Sequence, residues 1–108
     1  MIIDDSTIAA LSEECSNQVV QWRRQIHEHP EPGFQEWHTA ELSAQVLHRL
    51  GLDVRSGIAS TGLVATLWGA YPGPTVALRA DMDALPISED TGLAFSSRVE
   101  GMMHACGH

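Results

Sequence analysis

The spacing of apolar residues changes at Gly51, and this change constrains the fold more than any other feature of the chain. From Ser6 to about His29 they recur at steps of three and four, which is the period of one helical face. The residues of this face are Ile8, Leu11, Cys15, Val19, Trp22 and Ile26. We expect Asp5 or Ser6 to cap the helix, the prolines and glycine of "HPEPGF" to end it, and the Cys15 thiol to be buried.

A second helix is predicted from about Glu36 to Leu50. Its apolar face consists of Leu42, Val46, Leu47 and Leu50. Gly51 stands where a left-handed residue commonly ends a helix. The two histidines of this segment have no ligand-type neighbour one turn away, so we expect His38 and His48 to be solvated.

After Gly51 the pattern becomes extended. "LDVRSGI" alternates, whereas "GLVATLWG" and "TVALRAD" are mostly apolar and are joined by the turn sequence "AYPGP", which predicts a hairpin or adjacent strands. Residues 83–101 are predicted to be mostly loop, with "TGLAFSS" as a candidate short strand. Helices followed by strands predict the first layers of an α/β or α+β sandwich.

The composition of the chain excludes several classes of function. The chain has 108 residues and no linker, so residues 1–108 are predicted to form one small domain without an internal boundary. Its net charge is −8 and all six basic residues are arginine, which argues against nucleic-acid binding and excludes lysine-based chemistry. Neither a signal peptide nor a membrane-length apolar run is recognisable, so we expect a cytoplasmic protein with two free thiols and no membrane partner.

Two stretches carry residues suited to chemistry. In the first, Asp81 and Asp83 follow an apolar run, and residues two apart in a strand project from the same face. Both carboxylates could therefore face one space beyond the end of the strand, where open α/β sheets bind ligands. Spacing alone does not decide between a shared ligand-binding space and two solvated loop acids. The other loop acids, Glu89, Asp90 and Glu100, are expected to be solvated.

The second stretch contains Cys106 and His108, with His104 two residues earlier. Thiolate and imidazole are ligands for zinc and similar ions, and Gly107 permits a tight turn between them. Two ligands do not complete a metal site, so spacing alone leaves a metal role for this stretch open. His104 could be a third ligand, a residue outside the coordination shell or a solvated residue. A nucleophile–base pair is disfavoured, because residues two apart on a turn seldom align for proton transfer.

Together these stretches resemble a known family. "RRQIHEHPEPGFQE", "TGLVATL", "PGPTVALRADMDALPISEDTGLAFSS" and "GMMHACGH" are similar to the start of the metal-dependent N-acyl-amino-acid amidohydrolases. That group includes hippurate hydrolase and indole-acetyl-amino-acid hydrolases, and is related to aminoacylase and glutamate carboxypeptidase. The resemblance extends from Arg23 to His108. It implies a partial three-layer α/β sandwich of the zinc-peptidase type, with two N-terminal helices, a mixed sheet and no lid domain.

The resemblance also implies roles. Cys106 and His108 match ligands of a pair of divalent ions, of which Zn, Mn, Ni and Co are the candidates. Asp83 matches the acid of the catalytic site that orients the metal centre and its histidine neighbour, and Asp81 falls where distant relatives carry a metal-binding histidine. The implied substrate is an N-acyl or N-aroyl amino acid, or a small peptide-like amide.

Family members continue beyond "CGH" with a catalytic glutamate pair, further histidine ligands and the lid. The resemblance therefore implies an amino-terminal portion of the enzyme that is inactive alone. The alternative is a non-catalytic module that self-associates through an open sheet edge and an uncovered apolar face, or one that a partner chain completes.

Overall fold

A computed structural model describes residues 3–107 of the chain. Two helices, α1 (Asp5–Glu28) and α2 (Trp37–Arg49), precede two strands, β1 (Asp53–Ile58) and β2 (Gly62–Thr66). The order of helices and strands and the α/β class are those predicted from the sequence. Neither helix in the described residues has the length and apolar character needed to cross a membrane.

Helix α1 begins one residue earlier than its sequence pattern indicated. Its cap is Asp4, whose carboxylate accepts hydrogen bonds from the Thr7 N–H at 2.8 Å and the Ser6 hydroxyl at 2.9 Å. The prediction of Asp5 or Ser6 as the cap was therefore wrong, because the extended residue before the helix supplies the acceptor.

The apolar face of α1 is exposed. Cys15, predicted to be buried, is exposed, so that prediction was wrong. Around it lies a shallow apolar groove lined by Ile3, Ile8, Leu11, Ser12, Cys15 and Val19. Periodicity identifies an apolar face correctly but not what covers it, and within residues 3–107 no second layer packs over this part of the helix.

Helix α2 packs on the β1–β2 hairpin. The helix ends as predicted, with Gly51 in the left-handed region at φ +82°. The strands pair antiparallel from Asp53–Thr66 to Ile58–Gly62, with an irregularity between Ser56 and Ile58. The hairpin thus joins "LDVRSGI" to "GLVATLWG", whereas the sequence predicted a partnership between "GLVATLWG" and "TVALRAD".

Residues 75–81, predicted as a strand, are not one in the structure. Val76 is 84% exposed and Leu78 is 98% exposed. A strand requires a neighbour for its backbone hydrogen bonds, and no segment within residues 3–107 pairs with this one. The candidate strand "TGLAFSS" is likewise a turn, in which the Ser96 N–H donates to the Leu93 carbonyl at 3.1 Å.

Candidate metal centre

Isolated backbone pairings bring three distant segments together. The Ala84 N–H donates to the Glu31 carbonyl at 2.8 Å, within a parallel bridge between Pro32 and Ala84. Leu85 and Met103 exchange two hydrogen bonds at 2.9 and 3.0 Å. The loop after α1, the acidic segment and the segment that ends the chain therefore lie side by side. Ala84 at their meeting point is only 4% exposed.

Beside these pairings lies a cavity of about 240 Å³. It is lined by Arg79, Ala80, Asp81, Asp83, His104 and Cys106. Both carboxylates of the acidic segment therefore border one space, and the structure brings them together with the thiol and an imidazole. The third predicted site residue, His108, lies outside the described residues.

The two carboxylates have different surroundings. Asp81 forms an ion pair with Arg79, with 2.6 Å between Oδ1 and Nη2. Asp83 lies against the turn after Pro32, since a Cβ added to Gly33 would stand 3.9 Å from its Cβ and 4.0 Å from Oδ2. The Asp83 side chain is exposed, and the backbone beside it is fixed by the hydrogen bond of the adjacent Ala84.

His104 is a half-buried residue in the wall of the cavity. Its Nε2 atom is buried and has no hydrogen-bond partner within residues 3–107, an arrangement that costs free energy unless a ligand satisfies it. Burial, and then the charge on His27, lower the pKa of His104, while the charges of Asp83 and Glu31 act in the opposite direction. A neutral imidazole keeps a lone pair for a metal or a hydrogen-bond donor.

Carboxylate, imidazole and thiol are the donor types that divalent transition metals prefer, and an unsatisfied ring nitrogen stands among them. The cavity therefore fits a metal site in its donor chemistry. Within residues 3–107, however, no three acidic, histidine or cysteine side chains converge closely enough to hold an ion. A complete ligand set would need donors from beyond these residues.

Glu31 is a functional residue that sequence spacing did not single out. Its carboxylate accepts hydrogen bonds from the His38 N–H at 2.9 Å and from the N–H and hydroxyl of Thr39, both at 2.7 Å. Burial would raise the pKa of Glu31, but the bonds from Thr39 and His38 outweigh it and the pKa is lowered. Glu31 thus caps α2 with its side chain and holds Ala84 with its carbonyl, which joins the helix to the cavity.

Glu89 was expected to be solvated, and this prediction was wrong. Its carboxylate accepts hydrogen bonds from His27 Nε2 at 2.8 Å, from the Ser97 N–H at 2.9 Å and from the Thr91 hydroxyl. The loop folds back onto the last turn of α1, and no local pattern in the sequence indicates that contact. An ionised carboxylate only accepts, so the His27 Nε2 atom carries the proton.

The bonds from Thr91 and Ser97, and then from His27, lower the pKa of Glu89 from 4.5 to about 2. A carboxylate whose pKa is lower in the folded chain than in the unfolded chain stabilises the fold at every pH above the unfolded-state pKa. This stabilisation is lost as the pH falls from the unfolded-state pKa to the folded-state pKa. We therefore expect Glu89→Gln to lower the unfolding free energy near neutral pH. The difference in unfolding free energy between Glu89→Gln and the unsubstituted chain should become smaller as the pH falls from 4.5 to about 2.

Unfolding measured in denaturant across this pH range tests the prediction, with the exposed Glu13→Gln on α1 as the control. A difference in unfolding free energy between Glu89→Gln and the unsubstituted chain that stays constant down to pH 2 would contradict the prediction.

Comparisons with known proteins find a matching family model, similar sequences and a similar structure. The profile of peptidase family M20/M25/M40 matches residues 77–108, which contain every residue lining the cavity. Thermostable carboxypeptidase 1 of Saccharolobus solfataricus is 50% identical over 96 residues, covering 88% of this chain and 24% of the relative. The N-acyl-L-amino acid amidohydrolase of Geobacillus stearothermophilus is 46% identical over 101 residues, covering 94% of this chain and 27% of the relative.

A solved structure is also similar, that of the YXEP protein of Bacillus subtilis, described as a dinuclear metal-binding peptidase of the M20 family. It matches with a TM-score of 0.82 and 41% identity, covering 88% of this chain and 27% of that one. Residues 77–108 thus carry the sequence pattern of the M20/M25/M40 peptidases, and the fold is similar to that of a dinuclear metal-binding peptidase. Over most of its own length the chain is similar to a carboxypeptidase and to an N-acyl-amino-acid amidohydrolase, and it spans about a quarter of the length of these relatives.

Proposed function

We propose that the chain contributes part of the metal centre of a hydrolase that cleaves the amide bond of N-acyl or N-aroyl amino acids. The observation that carries the proposal is the cavity in which Asp81, Asp83, His104 and Cys106 meet. All of these residues fall within the segment that matches the M20 family. The names of the two relatives support the substrate class, because N-acyl amino acids and peptides share an amide bond on the nitrogen of an amino acid.

Each site residue has a proposed role. Cys106, as a thiolate, and His108 would hold divalent ions, two per site in the complete enzyme, with Zn, Mn, Ni or Co as candidates. Asp83, which lies near the turn at Gly33, would orient the ligands from outside the coordination shell. When bound, such ions lower the pKa of water and polarise the amide carbonyl.

Residues 1–108 alone are proposed to be inactive. The cavity offers donors but no ligand set of three within the described residues, and catalytic zinc sites use three protein ligands. The missing donors and the general base would come from the part of the enzyme that the relatives contain and this chain does not match.

A chimera tests this function. Residues 1–108 would replace the matching segment of the Geobacillus relative, and release of free amino acid from N-acetyl and N-benzoyl amino acids would be measured with ninhydrin. We expect metal-dependent turnover by the chimera and none by the isolated chain. A folded chimera that binds metal but has no activity, beside an active parent, would contradict the proposal.

A second candidate is a non-catalytic module that associates with copies of itself or with a completing partner chain. The specific observation in its favour is the exposure of two apolar surfaces, the groove on α1 around Cys15 and the extended residues 75–81. Both surfaces would be covered in either kind of assembly.

A further inference from the structure

We propose that His27, fixed by Glu89, is a positioning residue that holds His104 in the wall of the cavity. This inference rests on the proposed function for the use of the cavity, and it assigns a role to two buried residues that the proposed chemistry leaves without one. It is carried by three observations, which concern the orientation of His27, the packing around it and its contact with His104.

The orientation of His27 is fixed by hydrogen bonding. The residue is only 7% exposed, and its Nε2–H donates to Glu89 at 2.8 Å. Glu89 is itself held by the Ser97 N–H at 2.9 Å and by the Thr91 hydroxyl. Because both partners of the bond are held by other groups, the imidazole has a single preferred ring orientation.

Packing holds the same ring from the side. The Phe95 ring meets His27 edge-on, with 5.8 Å between centroids and an interplanar angle of 78°, and the Arg24 guanidinium lies 4.6 Å from the Phe95 centroid. The loop that carries Phe95 is fastened to α1 by Arg98, which forms an ion pair with Glu28 at 2.8 Å and donates its N–H to the Glu28 carbonyl at 2.9 Å.

His27 in turn lies next to His104. The two ring centroids are 6.4 Å apart with planes inclined by 37°. His104 lines the cavity and has no hydrogen bond of its own to fix Nε2 within residues 3–107. Its ring position therefore depends on neighbouring groups, and His27 is the neighbour that is itself rigidly held.

A role in packing alone makes a different prediction. If His27 only fills space, its replacement changes the stability of the chain but leaves the reactivity of His104 in the folded state unchanged. If His27 positions His104, its replacement changes the accessibility of the His104 ring and the metal affinity of the cavity, even where the chain stays folded.

The first readout needs no metal. Carbethoxylation of individual histidines in the 108-residue chain is followed by peptide mass mapping, with the exposed His38 as the internal reference. In His27→Ala we expect His104 to react at least about tenfold faster, because the ring gains locally open conformations, while helical circular dichroism is retained. His48→Ala is the matched control and should leave the rate at His104 unchanged.

The second readout is the Co²⁺ affinity and visible spectrum of the chimera, in which the Geobacillus relative supplies the missing donors. We expect His27→Ala to weaken binding by about 10- to 100-fold, which is the usual cost of losing a group behind a ligand. Glu89→Gln keeps an oxygen acceptor for His27 and should retain most of the affinity, whereas Glu89→Ala should lose as much as His27→Ala. If His27→Ala does not fold, His27→Phe, which keeps a ring beside Phe95 but loses the bond to Glu89, takes its place.

The outcomes separate this inference from the proposed function. A folded His27 variant with unchanged His104 reactivity overturns the positioning role, whatever the metal result. A chimera without the His27 substitution that binds no Co²⁺, beside a parent enzyme that does, counts against the proposed metal centre, and the His104 reactivity then decides the positioning role by itself.

Discussion

In the chimera with the Geobacillus relative, replacing Cys106 by Ala is expected to lower the affinity for Co²⁺ or Zn²⁺ by more than about 100-fold, the upper end of the roughly 10- to 100-fold cost of removing a group outside the coordination shell. The larger loss follows because Cys106 is a proposed direct ligand, and a thiolate in a cavity with two carboxylates is its softest donor. Competition with a metal indicator gives the affinity. The thiolate-to-cobalt charge-transfer band, which requires a Co–S bond, should disappear as well.

The other cysteine provides the control. Cys15 lies on α1, in the apolar groove rather than in the cavity, so Cys15→Ala should leave both the affinity and the charge-transfer band unchanged. If the band follows Cys15 instead of Cys106, the metal centre is assigned to the wrong thiol.

Replacing Glu31 by Ala is expected to lower the unfolding free energy by about 2 to 3 kcal/mol, within the range measured for hydrogen bonds to charged groups. Its carboxylate accepts three hydrogen bonds at the start of α2, two of them from Thr39 and one from His38. The helix has no cap from its own Glu36 side chain, so the loss leaves N–H groups at its first turn unsatisfied. Denaturant unfolding monitored by circular dichroism measures the change.

Two variants sharpen this test. Glu31→Gln keeps an acceptor oxygen without the charge and should fall between the unsubstituted chain and Glu31→Ala. Glu41→Ala removes an acid from the exposed face of the same helix and should stay within about 0.5 kcal/mol of the unsubstituted chain. A Glu31→Ala variant as stable as Glu41→Ala would contradict the capping role.

Local sequence predicted the helices well and the strand pairing poorly. The spacing of apolar residues predicted helix α1, and the conformational preference of glycine predicted the left-handed Gly51. Both signals involve only residues that are close in the sequence. The burial of Cys15 and the strand at residues 75–81 depend on a second layer or a neighbouring strand, and the sequence pattern shows only that a surface is apolar. Those two predictions were wrong for the same physical reason.

The candidate site, too, was predicted from the sequence only in part. The spacing of Asp81 and Asp83 indicated a shared space, but it left solvated loop acids as an alternative. Their meeting with Cys106 depends on the bridge between Leu85 and Met103, a long-range pairing that no short pattern encodes. The resemblance to the amidohydrolases identified the family because it draws on several motifs at once. The burial of Glu89 was missed because one of its partners, His27, stands on α1, far from it in the sequence.

The most direct test of the central claim is anomalous diffraction from crystals of the chimera, in which the Geobacillus relative supplies the missing donors, grown with Zn²⁺ and measured on both sides of the zinc absorption edge. The account predicts an anomalous peak in the cavity, at bonding distance from the Cys106 Sγ atom and bordered by Asp83 and His104. A peak confined to surface histidines such as His48, with none in the cavity at saturating zinc, would contradict it.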